Sequence, residues 1–302
     1  MKKLLIWLPG MLSMLAACTE AVEIPARAPE KQSPVRVELH LTTEQQAATR
    51  AMDENCIRDV NLYLYGDTEY HFYFPSVSSP LVFNVLPGNY RSYAIANAGQ
   101  DLGDKNAFKI QFYETAVDVM ESSDAIPMTD RGTLAVDGAG RCTPSSLRVT
   151  RSAAKIAYTI EVADAVAPSL RLRSVQFCNL PLTIRPFDSG SISSTVEANY
   201  YDGEAMPVGN ERRTAGTAYL FENLQGSVDT ITDQKDKCPE NAPACATYLR
   251  ILAERSADKA LVEYIVYPGE NNTSDFNVRR NTWHNLELVI RGENEIDNRV
   301  LV

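Results

Sequence analysis

The side chains with which this 302-residue chain could do chemistry are three histidines, six cysteines and 39 acidic residues. His40, His71 and His284 fall in no Ser- or Cys-nucleophile motif, and His284 follows Trp283 in an alternating stretch that reads as sheet surface. The carboxylates are scattered, so no acid/base pair of the glycosidase kind can be read from their spacing. There is no Gly-rich phosphate loop and no cluster with metal-ligand spacing. No catalytic residue, cofactor or metal is therefore expected, and the chain reads as a non-enzyme. The run Cys238-Pro-Glu-Asn-Ala-Pro-Ala-Cys245 could close a small disulfide ring worth about 2.5 kcal/mol on loop entropy. Two thiols with no histidine nearby are a poor zinc set. Cys56, Cys142 and Cys178 fit buried free thiols as well as they fit one bridge and a leftover.

The two residues with a definite chemical meaning are substrates for other enzymes. Met1-Lys2-Lys3 is a basic start, residues 4–15 are apolar, and Leu15-Ala16-Ala17-Cys18 follows. The apolar run is too short for a permanent span and reads as a signal peptide. A Cys after Leu-Ala-Ala matches a bacterial lipobox, in which the Cys18 thiol is diacylated and cleavage after residue 17 makes it the new N-terminus. The second residue is Arg50, in the polar run Thr49-Arg50-Ala51. A single arginine in a loop is an ordinary feature of exported proteins. Its meaning depends on what flanks it.

On one side, Val35-Arg36-Val37-Glu38-Leu39-His40-Leu41 alternates without a break, which puts Val35, Val37, Leu39 and Leu41 on one face of a strand. On the other, Val60-Asn61-Leu62-Tyr63-Leu64-Tyr65 is a second strand ending at Gly66-Asp67. Residues 19–34, rich in Pro, Ala and Glu, read as a linker. Fifteen Gly and 16 Pro, with abundant Val, Thr and Tyr, indicate an all-β fold. A net charge of −10 argues against nucleic acid and against anionic membrane surfaces as partners. Further strands are expected at 71–74, 81–86, 90–97, 134–136, 147–151, 154–162, 170–180, 190–200, 217–221, 246–253, 261–267 and 283–290. Pro87-Gly88-Asn89 should turn 81–86 back on 90–97 as a hairpin, and residues 113–120 could add a helical turn or two. Gly138, Gly140 and Pro144 suggest a boundary, giving a signal peptide (1–17), a lipidated pro-segment (18–50) holding strand 35–41, and β-sandwiches at 51–145 and 146–302.

Taken in order, these stretches resemble a Bacteroidetes fimbrillin, or a fimbrillin-like subunit of a type V pilus. The residues that carry the resemblance are the lipobox at Cys18, the order strand, Thr49-Arg50-Ala51, strand, and the motif Leu86-Pro87-Gly88-Asn89-Tyr90 with Ala94-Ile95-Ala96-Asn97. Arg151-Ser152-Ala153-Ala154-Lys155-Ile156, Phe221-Glu222-Asn223-Leu224-Gln225-Gly226 and Asp275-Phe276-Asn277-Val278-Arg279-Arg280-Asn281 extend it through the second half. The resemblance implies tandem transthyretin-like sandwiches, transport to the outer membrane as a lipoprotein, and a cut between Arg50 and Ala51 by an Arg-specific protease. The cut releases the first strand, and a neighbouring fimbrial subunit fills the groove with a donor strand. Arg36 is the rival site, but it lies inside the strand.

Four buried aliphatics at ~1.5–3 kcal/mol each make that strand worth ~6–12 kcal/mol, comparable to a whole domain's ~5–15 kcal/mol. The tail after Gly292 offers apolar alternation only at Val300 and Val302, around Leu301, which makes it a weak donor and suggests a tip or accessory subunit. A different reading, a glycan-binding surface lipoprotein, draws on the run Tyr63, Tyr65, Tyr70, Phe72, Tyr73 and Phe74, which could stack on sugars.

Overall fold

The computed structural model describes residues 32–43, 55–104, 126–183, 186–187, 193–209, 211–293 and 295–301. Cys18, Arg50, Ala51, Val302 and the expected helical turns at 113–120 lie outside the described residues.

The first half contributes β1 (Val35–Thr43), β2 (Val60–Tyr65), β3 (Glu69–Phe74), β4 (Leu81–Val85), β5 (Gly88–Ala96), β6 (Met128–Val136), β7 (Cys142–Thr143) and β8 (Ser146–Arg151). They join in the order β3-β2-β5-β6-β8-β1-β4, with β7 beside β6. The link between β6 and β8 is only two residue pairs long, Met128 with Arg151 and Thr129 with Thr150. The sheet folds over at this weak joint, and Phe72 of β3 meets Phe83 of β4 with ring centroids 4.9 Å apart. The two layers enclose one core that includes Val37, Leu39, Leu62, Leu64, Phe83, Val85, Leu134 and Val149.

The second half contributes β9 (Ala153–Val162), β10 (Leu170–Cys178), β11 (Leu180–Pro181), β12 (Tyr200–Tyr201), β13 (Met206–Pro207), β14 (Arg213–Phe221), β15 (Tyr248–Arg255), β16 (Leu261–Val266), β17 (Trp283–Gly292) and β18 (Glu295–Leu301). Two four-stranded sheets, β14-β9-β17-β18 and β13-β10-β15-β16, face each other, and β11 pairs with β12. In β9 the alternation Ala154, Ile156, Tyr158, Ile160, Val162 points inward, as period-two patterning requires. These side chains meet Leu172, Phe177, Leu249, Ile251, Leu286 and Leu288 in a second core.

Four expectations change. Of the strand expected at 190–200, the described residues hold a 3-10 turn at Glu197–Asn199 and strand only from Tyr200. Strands β4 and β5 are not a hairpin: β4 pairs with β1 and β5 with β2 and β6, because the bend at Pro87 carries the chain from one layer to the other. Residues 146–151, expected to open the second half, are β8 and pair with β1 and β6 of the first; the passage between sandwiches falls at Ser152. Residues 295–301 are a paired strand, in antiparallel register along β17 from Gly292 opposite Glu295 to Asn285 opposite Leu301.

A third cluster joins the halves. Tyr63, Tyr93 and Ile95 of the first pack with Phe187, Tyr219 and Phe221 of the second. Beside it, Arg280 donates to Glu222 and to the Pro186 carbonyl, and Thr129 and Arg131 donate to the carbonyls of Pro186 and Phe187.

Candidate functional site

The site is the seat of β1. Its alternation comes out as expected: Val37 and Leu39 have no exposure, while Arg36, Glu38, His40 and Thr42 face solvent. Val35 and Leu41 are half-buried at the rim of the core, so two rather than four side chains are fully enclosed. The strand's gross contribution falls accordingly, to ~3–6 kcal/mol from Val37 and Leu39 with a smaller part from the other two.

β1 is an interior strand. Its first half runs antiparallel to β4, from Val35 opposite Val85 to Leu39 opposite Leu81. Its second half runs parallel to β8, from His40 opposite Ser146 to Thr43 opposite Val149. Withdrawing it would bare the facing edges of β4 and β8 together with the pockets of Val37 and Leu39. Arg36, the rival cleavage site, is paired with Asn84 in this ladder, and its side chain bonds Glu38 at 3.0 Å. A protease that needs an extended, free segment cannot engage it there.

Downstream of Arg50, residues 55–59 are fastened by hydrogen bonds to Asn97, Arg151, Ala98 and Gly99. Asn97 is buried with φ 60°, a left-handed conformation that Asn tolerates. Its amide nitrogen donates to the carbonyls of Cys56 and Ile126, both at 2.9 Å, and its oxygen accepts from the Arg58 N–H at 2.8 Å. Arg151 donates to Asn55 at 2.7 Å. The Asp59 carboxylate accepts from the backbone N–H groups of Ala98 and Gly99, and burial raises its pKa. A cleft of about 690 Å³ opens where β1 ends, lined by Leu41, Thr43, Asn55, Ile57, Val77 and Arg148 among others. The strand's exit and the segment fastened from Asn55 onward thus border one cleft.

Other expected site residues fall elsewhere. Cys238 and Cys245 carry separate thiols, as do Cys56, Cys142 and Cys178. Cys238 lies beside Glu240 and Asn241, whereas Cys245 is buried near Tyr200 and Glu197, so the two face different surroundings and form no ring. The aromatic run is divided between two cores, with Tyr65, Tyr70, Phe72, Tyr73 and Phe74 half-buried. Tyr63 is buried between the sandwiches and stacks on His71 with centroids 4.4 Å apart; Tyr70, Phe72 and Phe74 pack on the first core. His284 is fully buried rather than on a sheet surface. It is in phase with Leu286, Leu288 and Ile290 on the inward face of β17, and its ring sits between the Gly269 carbonyl and the Thr282 hydroxyl. Burial lowers its pKa. Asn271 closes a turn by accepting from the N–H groups of Thr273 and Asp275. No group of three or more His, Cys, Asp or Glu that could hold a metal occurs among the described residues.

The fold and the seat define a two-sandwich protein whose first strand lies inside a sheet, ahead of a separately anchored chain. Comparisons with known proteins bear on the fold. Residues 218–288 match a family described as a domain of unknown function, DUF4906. No curated protein matches the chain. Among solved structures, the chain is similar to a candidate cell adhesion protein from Bacteroides eggerthii, with a TM-score of 0.62, 12% identity, and 90% of this chain and 96% of that one covered. A candidate cell adhesion protein from Parabacteroides distasonis gives a TM-score of 0.62 at 12% identity, covering 89% of this chain and 98% of that one. The tip fimbrial protein Mfa3 from Porphyromonas gingivalis, with a C-terminal truncation, gives 0.57 at 12% identity, covering 89% and 99%. This chain has the fold of these Bacteroidetes adhesion and fimbrial proteins.

Proposed function

We propose that the chain is a surface-exported fimbrial subunit of the type V pilus kind. It is made as a lipoprotein precursor tethered to the outer membrane through Cys18 and matured by an Arg-specific protease that cuts between Arg50 and Ala51. The cut frees the segment that carries β1, and a strand from another fimbrial subunit takes the vacated seat. The observation that carries this reading is β1 itself, an interior strand with a ladder on each flank and two enclosed side chains, followed by a chain anchored afresh from Asn55. Replacement of such a strand restores both the backbone ladder and the apolar contacts, which is β-strand addition used to link subunits.

A tip or accessory position is the finer part of the proposal. Its support is β18, which lies along β17 in its own sheet, so residues 295–301 are engaged within the subunit rather than extended toward a neighbour. The fold shared with a protein described as a tip fimbrial protein adds to it.

Mass spectrometry of the N-terminus of protein recovered from the cell surface tests the processing step. The mature form should begin at Ala51, and Arg50→Ala should leave a lipid-linked precursor outside fibres. A wild-type surface form that still begins at Cys18 would defeat the cleavage reading.

A further inference from the structure

The flank of β1 that faces away from β4 is not uniform. From His40 onward it is held by strand pairing: the His40 N–H donates to the Ser145 carbonyl at 3.0 Å, and β8 takes over from there. Ahead of His40 the neighbour is the tip of the hairpin between β6 and β7, residues 137–142. That tip is closed by its own bonds. The Gly140 N–H donates to the Asp137 carbonyl, and the Asp137 N–H donates to the Arg141 carbonyl, each at 3.0 Å. The Asp137 carboxylate accepts from the N–H groups of Ala139 and Arg141, both at 2.9 Å, and from the Arg141 guanidinium at 2.7 Å. The carboxylate thus adds three bonds to the two that the backbone makes across the turn.

Two atoms of this tip meet the backbone of β1. Gly140 has φ +80°, and a methyl group there would overlap the Arg36 carbonyl oxygen, so only glycine permits this approach. Two residues on, the Cys142 thiol donates to the Glu38 carbonyl at 3.2 Å. Both contacts are to main-chain carbonyls on the first half of the strand.

We propose that residues 137–142 are a latch over β1, and that this latch sets how readily the strand leaves its seat. Its part in assembly rests on the strand-exchange reading above; its hold on the precursor does not. Because the latch touches main-chain atoms, it closes equally over any strand that lies in the seat, and the pockets of Val37 and Leu39 do the selecting. A replacement strand should thus be locked in by the same two contacts.

Hydrogen exchange followed by mass spectrometry on the uncleaved precursor tests this. In Gly140→Ala, amides of residues 35–43 should exchange about tenfold faster, a loss of roughly 1.4 kcal/mol of local protection, while β9 and β17 keep their rates. Asp137→Ala removes three of the five bonds that close the turn, without introducing a clash, and should act in the same direction; it carries the test if Gly140→Ala does not fold. Cys142→Ser retains a donor and should stay close to wild type. Unchanged exchange at 35–43 in the folded variants, or an equal rise in β9 and β17, would overturn the latch. The same samples, treated with an Arg-specific protease, separate the two ideas. If β1 never leaves the cut wild-type protein, strand exchange fails while the precursor result still decides on the latch.

Discussion

Val37 and Leu39 do most to hold the first strand in place, since they are the side chains of β1 with no exposure. Leu39→Ala should lower the stability of the uncleaved protein by about 2–5 kcal/mol, by lost transfer energy and an unfilled cavity. Once another strand occupies the seat the same substitution should have no effect, because residue 39 is no longer part of the fold. Denaturant unfolding of the precursor and of the assembled form reads the difference. His284 offers a pH test of the second core. Burial lowers its pKa, against smaller opposing effects from the Gly269 carbonyl and from Asp275 and Glu270. With the folded value below the unfolded ~6.5, the unfolded chain binds more protons as pH falls past that point, so this group's contribution to stability is complete above ~6.5 and declines below it. His284→Gln should flatten that part of the stability profile; an unchanged profile would mean that other groups govern it.

At the scale of elements, the hydrogen bonds that fasten residues 55–59 would keep the rest of the fold in place after the proposed cut at Arg50. Asn97→Ala removes two hydrogen bonds from that segment, at Cys56 and Arg58, and a third to Ile126, and should cost ~2–3 kcal/mol while loosening the segment, seen as faster hydrogen exchange at residues 56–60. A variant as protected as wild type would show that the Asn97 side chain is not what holds this segment. Much of this element structure is written in local periodicity. Alternation located β1, β9, β15 and β17 within a few residues, because a strand with one buried face has to alternate. Local pattern says nothing about which strand lies alongside, and so β4 and β5 read as a hairpin and β8 went to the wrong sandwich. Glu293, Glu295 and Asp297 hid β18, whose pairing runs through the backbone. His284 could have been found: it shares the phase of Leu286 and Leu288, and only its polar type suggested a surface. The turn at 137–142 showed as two glycines, but its contact with Arg36 joins residues a hundred positions apart, beyond the reach of any local reading.

For the whole molecule, the folded-back β18 sets an expectation about assembly. Cleaved protein incubated alone should give no ladder of multimers on an unheated denaturing gel, while a mixture with a subunit that has a free donor strand should. A ladder from this protein alone would replace the tip assignment with a shaft one. The central claim, that β1 is a removable strand whose seat accepts another, can be measured more directly. The purified precursor is cut with an Arg-specific protease and mixed with a fluorescent peptide of residues 35–43, and native mass spectrometry follows the bound segment. We expect labelled peptide to replace β1 in the cut protein but not in the uncut one, and a peptide with Val37 and Leu39 changed to Asp to fail. Cut protein that keeps its own segment and excludes the labelled strand would contradict the account.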